Sequence, residues 1–362
     1  MLTRLMADSV RLFATAIPLS LVTGWSLALS VIVIGIVTFI YTYVGGLRAV
    51  VWVDATQMAL YTIGGLVALV VLGHAAPGGW TAILHSAAEA GKLRPVDLSL
   101  DFGRPYTLWA GLAGGAFLSM GSHGTDQLIV QRLLACPDLR SSRFALIGSG
   151  VAVFFQFALF LTVGLGLWVY FGGATFERSD EIFARFILVA LPSGLRGLLI
   201  AAVFAAAMST LSSSINSLAS ASTYDFWVAA HPDTRGDALL RIGRRFTWVW
   251  TLSLILAAIA FIPISRTSPA VEVSLGIASI IYGGLLGAFA LAHFVPGAGT
   301  LAARTGIVTG ILGVFALWAT ARSVIAWPWF VLIGTAITLA TGLLVTAAGG
   351  ASASGEASRG DL

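Results

Sequence analysis

The chain has 362 residues, of which 58% are apolar and 10% are charged, and its formal net charge is +4. With a mean hydropathy of +0.94, this composition excludes a soluble globular domain and predicts an integral membrane protein. The basic balance does not require nucleic acid as a partner, because basic loops that face the anionic lipid of a bilayer account for it.

Ten apolar stretches, each about 20 residues long and so able to cross a bilayer, follow one another along the chain with short polar segments between them. Stretches such as LALSVIVIGIVTFIYTYV are apolar on every face, whereas the strands of a membrane barrel alternate apolar and polar residues. All ten are therefore predicted as helices. The first contains Asp8 and Arg11, so it is read as a span and not as a signal peptide. The predicted spans are 5–22, 25–45, 55–74, 106–122, 144–171, 195–222, 246–264, 274–295, 303–321 and 327–348.

The distribution of basic residues predicts how these spans are oriented. Most of the 20 Lys and Arg residues fall on the side of the chain ends if ten spans alternate, and basic loops favour the cytoplasm. The protein is therefore expected in the cell (inner) membrane, with both termini on the cytoplasmic side. Residues 1–348 are predicted to form a single transmembrane domain, and the Gly/Ser/Ala-rich residues 349–362 a short flexible cytoplasmic tail.

Several kinds of chemistry have no sequence signal. Cys136 is the only cysteine, and the five histidines are scattered without metal-ligand spacing, so no transition-metal site is expected. No phosphate-binding loop or dinucleotide fingerprint occurs, which disfavours an ATP-driven pump. An enzyme is also disfavoured, because no nucleophile and base are paired at membrane depth.

One predicted span carries many hydroxyl groups. The segment AAAMSTLSSSINSLASAS (205–222) continues an apolar run, yet it contains serines, threonines and one asparagine. Small hydroxyl residues let membrane helices pack closely, which explains many of these positions. Ser209 and Thr210, with the carbonyl of Ala206 one turn earlier, also form a compact set of oxygens, and hard cations prefer oxygen ligands. Both interpretations stay open for this helix.

Two other segments combine polar residues with predicted helix ends. In YTYVGGLRAVVWVDATQ (41–57), Gly45 and Gly46 allow a sharp turn, and Asp54 lies at a helix start, where a carboxylate is favoured by the helix dipole. In HGTDQLIVQRLLAC (123–136), polar groups around Asp126 follow the fourth span and can bond neighbouring backbone. Each segment has a purely structural explanation beside any functional one.

These two segments, together with AAVFAAAMSTLSSSINSLASASTYDFW (201–227), resemble the sodium:solute symporter family, which includes sodium/glucose and sodium/proline cotransporters. The order and spacing of the three motifs agree over nearly the whole chain. The resemblance implies an all-α membrane helix bundle with a LeuT-like inverted-repeat transporter fold. It implies a sodium-coupled symporter, and it implies no cofactor, with Na⁺ as the coupling ion.

The resemblance also assigns roles residue by residue. Ala206, through its carbonyl, and Ser209 and Thr210, through their hydroxyls, are expected to bind sodium. Asp54 matches an acidic residue near the cytoplasmic sodium exit. The remaining matched residues are given structural roles, and they are Gly45, Gly46, Gln57, Asp126, Gln127, Gln131, Arg132 and Asn216.

The fourth span lines the solute pocket in the family, which makes Trp109, Phe117 and Ser119 candidate substrate-lining residues. An aromatic ring with a hydroxyl nearby suits a small polar organic solute, but the same residues can simply pack against neighbours. A sugar, an amino acid, a carboxylate and a vitamin all stay open as the substrate.

On the same comparison, five spans from 106–122 to 274–295 fit a complete second repeat, and only three spans precede them. The chain then lacks a leading helix and the first two helices of the first repeat, which supply the remaining sodium carbonyls in the family. We expect the chain alone to be inactive in coupled transport. Either its start lies upstream of Met1 or the gene is truncated. A membrane sensory module or a non-transporting remnant of the same fold is the alternative function.

Overall fold

In a computed structural model, the described part of the chain is residues 1–357 without 45–46, 95 and 264–268. Within helices, the described part also leaves out the side chains of residues 2–3, 41, 44, 47–54, 127–128, 131–132, 205–207, 209 and 349–357. The predicted turn at Gly45 and Gly46 therefore lies outside the described residues.

The regular structure of the described residues is helical. Short π-helical or 3₁₀ turns join some of the α-helices, at Ala110–Gly114, Ser179–Glu181, Ser222–Val228 and Trp327–Trp329. The α-helices are α1 Leu2–Thr23, α2 Leu27–Val44, α3 Leu47–Ala75, α4 Gly79–Glu89, α5 Gly115–Thr125, α6 Gln127–Leu134, α7 Leu139–Tyr170, α8 Ile182–Ala190, α9 Ser193–Ala221, α10 Asp237–Phe261, α11 Ala270–Phe294, α12 Thr300–Ala321 and α13 Phe330–Ala357.

Seven helices in the described residues are long and apolar enough to cross a membrane, which agrees with the predicted helical membrane protein. They lie in α1, α3, α7, α10, α11 and α12, and at Trp327–Ala348. The predicted spans 25–45 and 195–222 are helical as α2 and α9, but their described apolar stretches are shorter, at Leu27–Ile40 and Ser193–Phe204.

The predicted span 106–122 differs most from the observed helix. Residues 108–125 are helical, and the α-helical hydrogen bonding is interrupted by a π-helical turn at Ala110–Gly114. This part of the chain reads AGLAGG, and a π turn needs local backbone freedom that glycine supplies. The apolar pattern located the helix, but it could not reveal the irregular turn within it.

The chain divides into two compact units. Unit 1 consists of Met1–Leu93 and Ile147–Ser274, and unit 2 consists of Arg94–Leu146 and Leu275–Leu362. The prediction of a single domain over 1–348 stays a prediction. Helix α13 is helical to Ala357 and residues 358–362 lie outside the described part, so the tail assigned to 349–362 also stays a prediction.

Helices α1, α2, α9 and α10 pack together in unit 1. The fully buried ring of Phe13 on α1 meets the ring of Phe261 on α10 edge to face, with 5.3 Å between centroids. Helix α2 approaches α10 closely at Gly35, where an added Cβ would lie 2.5 Å from Cγ1 of Ile255. A glycine is needed there because the Ile255 side chain occupies the space that any larger residue would require.

A second group of helices in unit 1 is formed by α3, α7 and α8. Their contact is a buried apolar cluster that includes Leu72 of α3, Leu167 of α7 and Phe186 of α8. Helix α3 also runs along α9, where a Cβ added to Gly64 would overlap Leu199. Helix α3 is thus held between α7 and the serine-rich helix α9.

Unit 2 is built on close crossings of α11, α12 and α13. A Cβ added to Gly283 of α11 would lie 2.8 Å from Cα of Gly334 on α13, and one added to Gly306 of α12 would lie 2.8 Å from the carbonyl oxygen of Thr338. Small residues allow membrane helices to approach closely, because lipid supplies little hydrophobic drive for their association. These glycines therefore set the packing of unit 2.

Candidate functional site

The serine-rich helix α9 is continuous from Ser193 to Ala221 and follows Pro192, whose extended conformation (φ −63°, ψ 155°) precedes the first turn. Leu211, Ile215 and Leu218 are buried at helical spacing, so α9 packs one stripe into unit 1. Ser212 and Ser214, two positions apart, are also buried. The structure therefore supports helix packing as one role of the hydroxyl residues.

The three predicted sodium ligands occupy one turn of α9. Positions 206, 209 and 210 are spaced i, i+3 and i+4, which places them on one helical face. Thr210 is half-buried, while the side chains of Ala206 and Ser209 lie outside the described residues. Asn216, from the same motif, is exposed and so does not contribute to the packed interior of unit 1.

Asp54 belongs to α3, which packs along α9. The prediction that Asp54 lies at a helix start is wrong, because α3 begins at Leu47 and position 54 is two turns inside it. Its side chain lies outside the described residues, so its predicted place on a sodium path stays a prediction. Gln57, one turn further along α3, is buried, with 6% of its surface exposed. Position 54 shares the helical face of Gln57 by spacing, and that face continues to Gly64, where α3 meets α9.

An ion-pair cluster in unit 1 was not predicted from the sequence. Asp8 on α1 is fully buried, and its two carboxylate oxygens accept hydrogen bonds from Arg4 Nε at 2.9 Å and from an Arg11 terminal nitrogen at 2.8 Å. A terminal nitrogen of Arg4 also donates to the Ser214 hydroxyl of α9 at 3.4 Å. Charged groups inside membrane helices are costly and mark sites of functional interest.

The sequence signal for this cluster was the spacing of its members. Arg4 and Arg11 lie four residues before and three residues after Asp8, so all three share one face of α1. From the sequence, Asp8 and Arg11 indicated only that the first apolar stretch is not a signal peptide. The contact with Ser214 has no local sequence signal, because Arg4 lies 210 positions from Ser214 in the chain.

Asp126, the central residue of the second motif, lies in unit 2. It follows the last residue of α5 in an extended conformation, and it accepts a hydrogen bond from the Tyr282 hydroxyl of α11 at 2.8 Å. Helix α5 approaches Tyr282 closely, since a Cβ added to Gly121 would lie 2.8 Å from Cβ of Tyr282. This geometry suits the predicted structural role. The side chains of Gln127, Gln131 and Arg132 on α6 lie outside the described residues.

The candidate substrate-lining residues also lie in unit 2, whereas the sodium-site helix lies in unit 1. The Trp109 indole is 43% exposed and its Nε1 donates to the carbonyl of Leu98 at 3.2 Å. Phe117 is half-buried and Ser119 is exposed on α5. The π-helical turn at Ala110–Gly114 lies between Trp109 and Phe117, and such turns frequently occur at functional sites.

A second π-helical segment, Ser222–Val228, contains the TYDFW end of the sodium-site motif. The Trp250 indole of α10 donates to the Ser222 hydroxyl at 2.8 Å. The Thr223 hydroxyl donates to the Ala219 carbonyl one turn back at 2.7 Å. The first bond attaches the irregular segment after α9 to α10, the second lies within the same helical segment, and together they satisfy two buried hydroxyls.

Comparison with known proteins decides the family. A family model described as "Sodium:solute symporter family" matches residues 1–326. The chain belongs to the sodium:solute symporter family. Its predicted identification is confirmed, and sodium is the coupling ion of this family.

Three curated relatives in the sodium:solute symporter family are transporters. The sodium-dependent multivitamin transporter of Oryctolagus cuniculus is 31% identical over 87% of this chain and 50% of its own length. The sodium-coupled monocarboxylate transporter 2 of Homo sapiens is 29% identical over 83% of this chain and 50% of its own length. The sodium/sialic acid symporter NanT of Aliivibrio fischeri is 27% identical over 92% of this chain and 66% of its own length. The chain thus spans about half the length of the first two.

A solved structure supports the fold. A Na⁺-coupled sialic acid symporter in a substrate-bound outward-open state matches with a TM-score of 0.79, over 96% of this chain and 72% of that one. At 24% identity the match bears on the fold alone. The predicted all-α, LeuT-like membrane fold is confirmed.

Proposed function

We propose that this symporter family member imports a small polar organic solute together with sodium by alternating access. The observation that carries the proposal is on α9, where positions 206, 209 and 210 share one turn of a helix whose half-buried Thr210 precedes the buried hydroxyls of Ser212 and Ser214. Sodium can be held at mid-membrane by hydroxyls and backbone carbonyls. Because α9 is continuous through position 206, the Ala206 carbonyl would bind the ion through the lone pair that its helical hydrogen bond leaves unused.

In this proposal, the Ala206 carbonyl and the Ser209 and Thr210 hydroxyls bind the coupling ion. Asp54, on the helix that runs along α9, would lie on the route by which sodium leaves. The sodium gradient and the membrane potential, about 2.3 kcal/mol per charge per 100 mV, bias the cycle toward inward release. The solute site would include Trp109, Phe117 and Ser119.

The names of the relatives favour one of the four substrate classes that the sequence left open. They are named for vitamins, monocarboxylates and sialic acid, and the last two are carboxylic acids. We propose a carboxylate-bearing solute, because a carboxylate carries the charge that one sodium ion balances during the crossing. Sugars and neutral amino acids then serve as the comparison solutes.

We propose that the protein resides in the inner cell membrane with its basic loops in the cytoplasm. The basic residues at the start of α10, Arg241, Arg244 and Arg245, support this orientation. The Arg244 guanidinium lies 4.8 Å from the ring centre of Tyr43, an arrangement in which a cation is attracted to an aromatic face.

We further propose that the 362-residue chain alone does not complete the transport cycle. Every residue of α7 from 143 to 155 is exposed, including Phe144 at 80%, Phe154 at 69% and Phe155 at 65%. Thirteen consecutive residues cover all faces of a helix. In a packed helix bundle, one face of such a helix contacts protein, so we expect further helices to cover part of this stretch.

The sodium site is tested by uptake of radiolabelled solute into proteoliposomes under an inward sodium gradient, with the protein purified from its own membrane. Thr210→Val removes one oxygen ligand, so the sodium concentration for half-maximal uptake should rise about tenfold or more. Thr210→Ser keeps the hydroxyl and should leave it nearly unchanged. Thr320→Val is the matched control, because the exposed Thr320 hydroxyl only donates to the Ala316 carbonyl, at 2.7 Å.

Equal sodium dependence in Thr210→Val and Thr320→Val would remove Thr210 from the sodium site. The proposal about the isolated chain has a separate test, the intact mass of the native product carrying a C-terminal tag. A mass of 37.7 kDa plus the tag, together with sodium-driven uptake by that product, would show that the chain is sufficient alone.

A further inference from the structure

An apolar cavity of about 330 Å³ lies in unit 1 between the C-terminal part of α7 and the segment that leads into α8. Phe160, Gly164 and Trp168 of α7 line one side, and Phe176 and Phe183 line the other. The volume is at the lower end of the range, about 300 to 1,000 Å³, that small-molecule pockets occupy. It corresponds to roughly eleven water molecules at about 30 Å³ each, yet an apolar cavity is a poor site for water.

The walls of this cavity are held in place. Phe160 and Phe183 meet edge to face with centroids 6.1 Å apart, and Phe171 and Phe176 do so at 5.1 Å. Behind them, the fully buried Phe186 joins α8 to α3 and α7. Because these rings fix one another, the cavity is preformed and does not depend on a ligand to shape it.

The segment between α7 and α8 is also fixed by charge pairs. Glu181 is buried and accepts hydrogen bonds from Arg178 at 3.2 Å and from Arg185 at 2.8 Å. Arg178, itself only 8% exposed, also pairs with Glu177. A carboxylate shared by two guanidinium groups is a strongly held anchor. Phe176, which precedes this network, is thereby kept at the cavity wall.

Cationic side chains lie against two aromatic walls of the cavity. Lys92 Nζ is 4.9 Å from the ring centre of Trp168, and the Arg185 guanidinium carbon is 5.9 Å from that of Phe176. Glu181 balances Arg185 at 2.8 Å. In the part of the chain that the structure describes, Lys92 has no carboxylate within 4.0 Å, so a cation without a charged partner lies against Trp168, a residue of the cavity wall.

We propose that this cavity binds an acyl chain of an anionic phospholipid from the bilayer, with the lipid phosphate at Lys92. Helix α7 is an apolar membrane span whose side chains are exposed along much of its length, including Leu161 beside the cavity at 71%. An aromatic wall with a lysine at a helix end is the arrangement found where acyl chains meet headgroups. The lysine ammonium can donate to phosphate oxygens.

The proposal goes beyond sodium symport, because no residue of the cavity belongs to the sodium or solute candidates. Its ligand is distinguished from a soluble anion by the mostly apolar walls, where Ser179 is the one hydroxyl among the described lining residues. It is distinguished from an uncharged lipid by Lys92. Both features are therefore varied separately in the test.

Gly164 allows the cavity to be filled by substitution. A Cβ added to Gly164 meets no atom within 4 Å, so Gly164→Trp extends into the empty space. Gly150→Trp on the same helix is the matched control, because a Cβ there also meets nothing within 4 Å and Gly150 does not line the cavity. Gly164→Leu is the fallback where the larger side chain prevents folding.

The measurement is native mass spectrometry of the purified protein titrated with phosphatidylglycerol and phosphatidylcholine. We expect one phosphatidylglycerol to bind the wild type and Gly150→Trp, and to bind Gly164→Trp about tenfold more weakly. Lys92→Gln should reduce the preference for phosphatidylglycerol over phosphatidylcholine. Equal binding to both glycine variants would overturn the cavity assignment, and an unchanged preference in Lys92→Gln would overturn the role of the lysine. Displacement of a co-purified polypeptide by Gly164→Trp, without any loss of lipid, would also overturn the proposal.

Discussion

The hydroxyl of Tyr282 on α11 donates a hydrogen bond of 2.8 Å to the Asp126 carboxylate, 156 residues earlier in the chain. Asp126 is the single extended residue between α5 and α6, so this bond fixes the point at which the chain leaves one helix and enters the next. The bond joins a carboxylate acceptor to an aromatic hydroxyl, and it links the end of α5 to α11 within unit 2.

Tyr282→Phe should therefore destabilise the protein. The ring packing against Gly121 is retained while the hydrogen bond to a charged acceptor is lost, at a cost of about 1.5 to 3 kcal/mol. The midpoint of thermal unfolding in detergent should fall. Tyr224→Phe is the control, because Tyr224 is 59% exposed and its substitution should change the midpoint little. The same midpoint in both variants would show that the bond to Asp126 contributes nothing measurable.

Asp8→Asn should also be destabilising, since it removes the only carboxylate shared by Arg4 and Arg11 in the described cluster. Asp8 is fully buried, whereas the Arg4 and Arg11 side chains are 24% and 48% exposed and stay partly solvated, so the loss is about 1.5 to 3 kcal/mol, as for a hydrogen bond to a charged group. Urea or thermal unfolding of the detergent-solubilised protein measures the change. Asp233→Asn, at an exposed loop position, controls for the loss of a negative charge.

Adding Arg11→Gln to Asp8→Asn should recover a small part of that stability, because the double substitution removes one of the two cations that lose their carboxylate, and the Arg11 side chain is already 48% exposed. A double variant less stable than Asp8→Asn alone would mean that Arg11 stabilises α1 by contacts other than its ion pair.

Gly283→Ala should weaken the crossing of α11 and α13. An added methyl group would lie 2.8 Å from Cα of Gly334, a backbone atom that cannot move aside, and overpacking of this kind costs about 1 to 3 kcal/mol. Gly276→Ala on the same helix is the control, because its methyl group would meet only Cβ of Trp327 at an ordinary 3.8 Å. Equal unfolding midpoints for Gly283→Ala and Gly276→Ala would show that α11 and α13 accommodate the added methyl group with little loss of stability.

Asp180 should give the stability a dependence on pH. Burial raises the pKa of its carboxyl above 3.8, although the Ala270 N–H donates to it and opposes the shift. The native state then holds the proton more tightly than the unfolded chain does. The favourable contribution is fully present below pH 3.8 and is lost as the pH rises through the folded-state pKa.

Asp180→Asn is accordingly expected to raise the unfolding midpoint at pH 8 and to have a smaller effect near pH 3.8. Asp97→Asn should behave oppositely, because the Ser99 backbone N–H lowers the pKa of Asp97. Its contribution is present above the ordinary value and is lost as the pH falls through the folded-state pKa. Parallel pH profiles for the two variants would contradict the assigned directions.

The sequence by itself determined the class of this protein and the positions of most spans. Hydropathy is a sum over neighbouring residues, so a run of apolar residues identifies a helix such as Thr300–Ala321 without knowledge of its neighbours. The three motifs at 41–57, 123–136 and 201–227 were equally local, and their order and spacing predicted the family that the match over residues 1–326 shows. The π-helical turn at Ala110–Gly114 was not predicted. Its hydrogen bonding differs from that of an α-helix, but its hydropathy is the same as that of an apolar α-helix.

Only the tertiary structure decided which distant residues meet. The buried Asp8 cluster reaches Ser214, Asp126 meets Tyr282, and α7 and the segment before α8 enclose an apolar cavity. Each of these features depends on the distance between side chains from different helices, and that distance is set by how helices cross and not by the pattern along any one of them. The contacts between membrane helices are especially hard to predict from sequence. A span that is apolar on every face does not show which face contacts another helix and which contacts lipid.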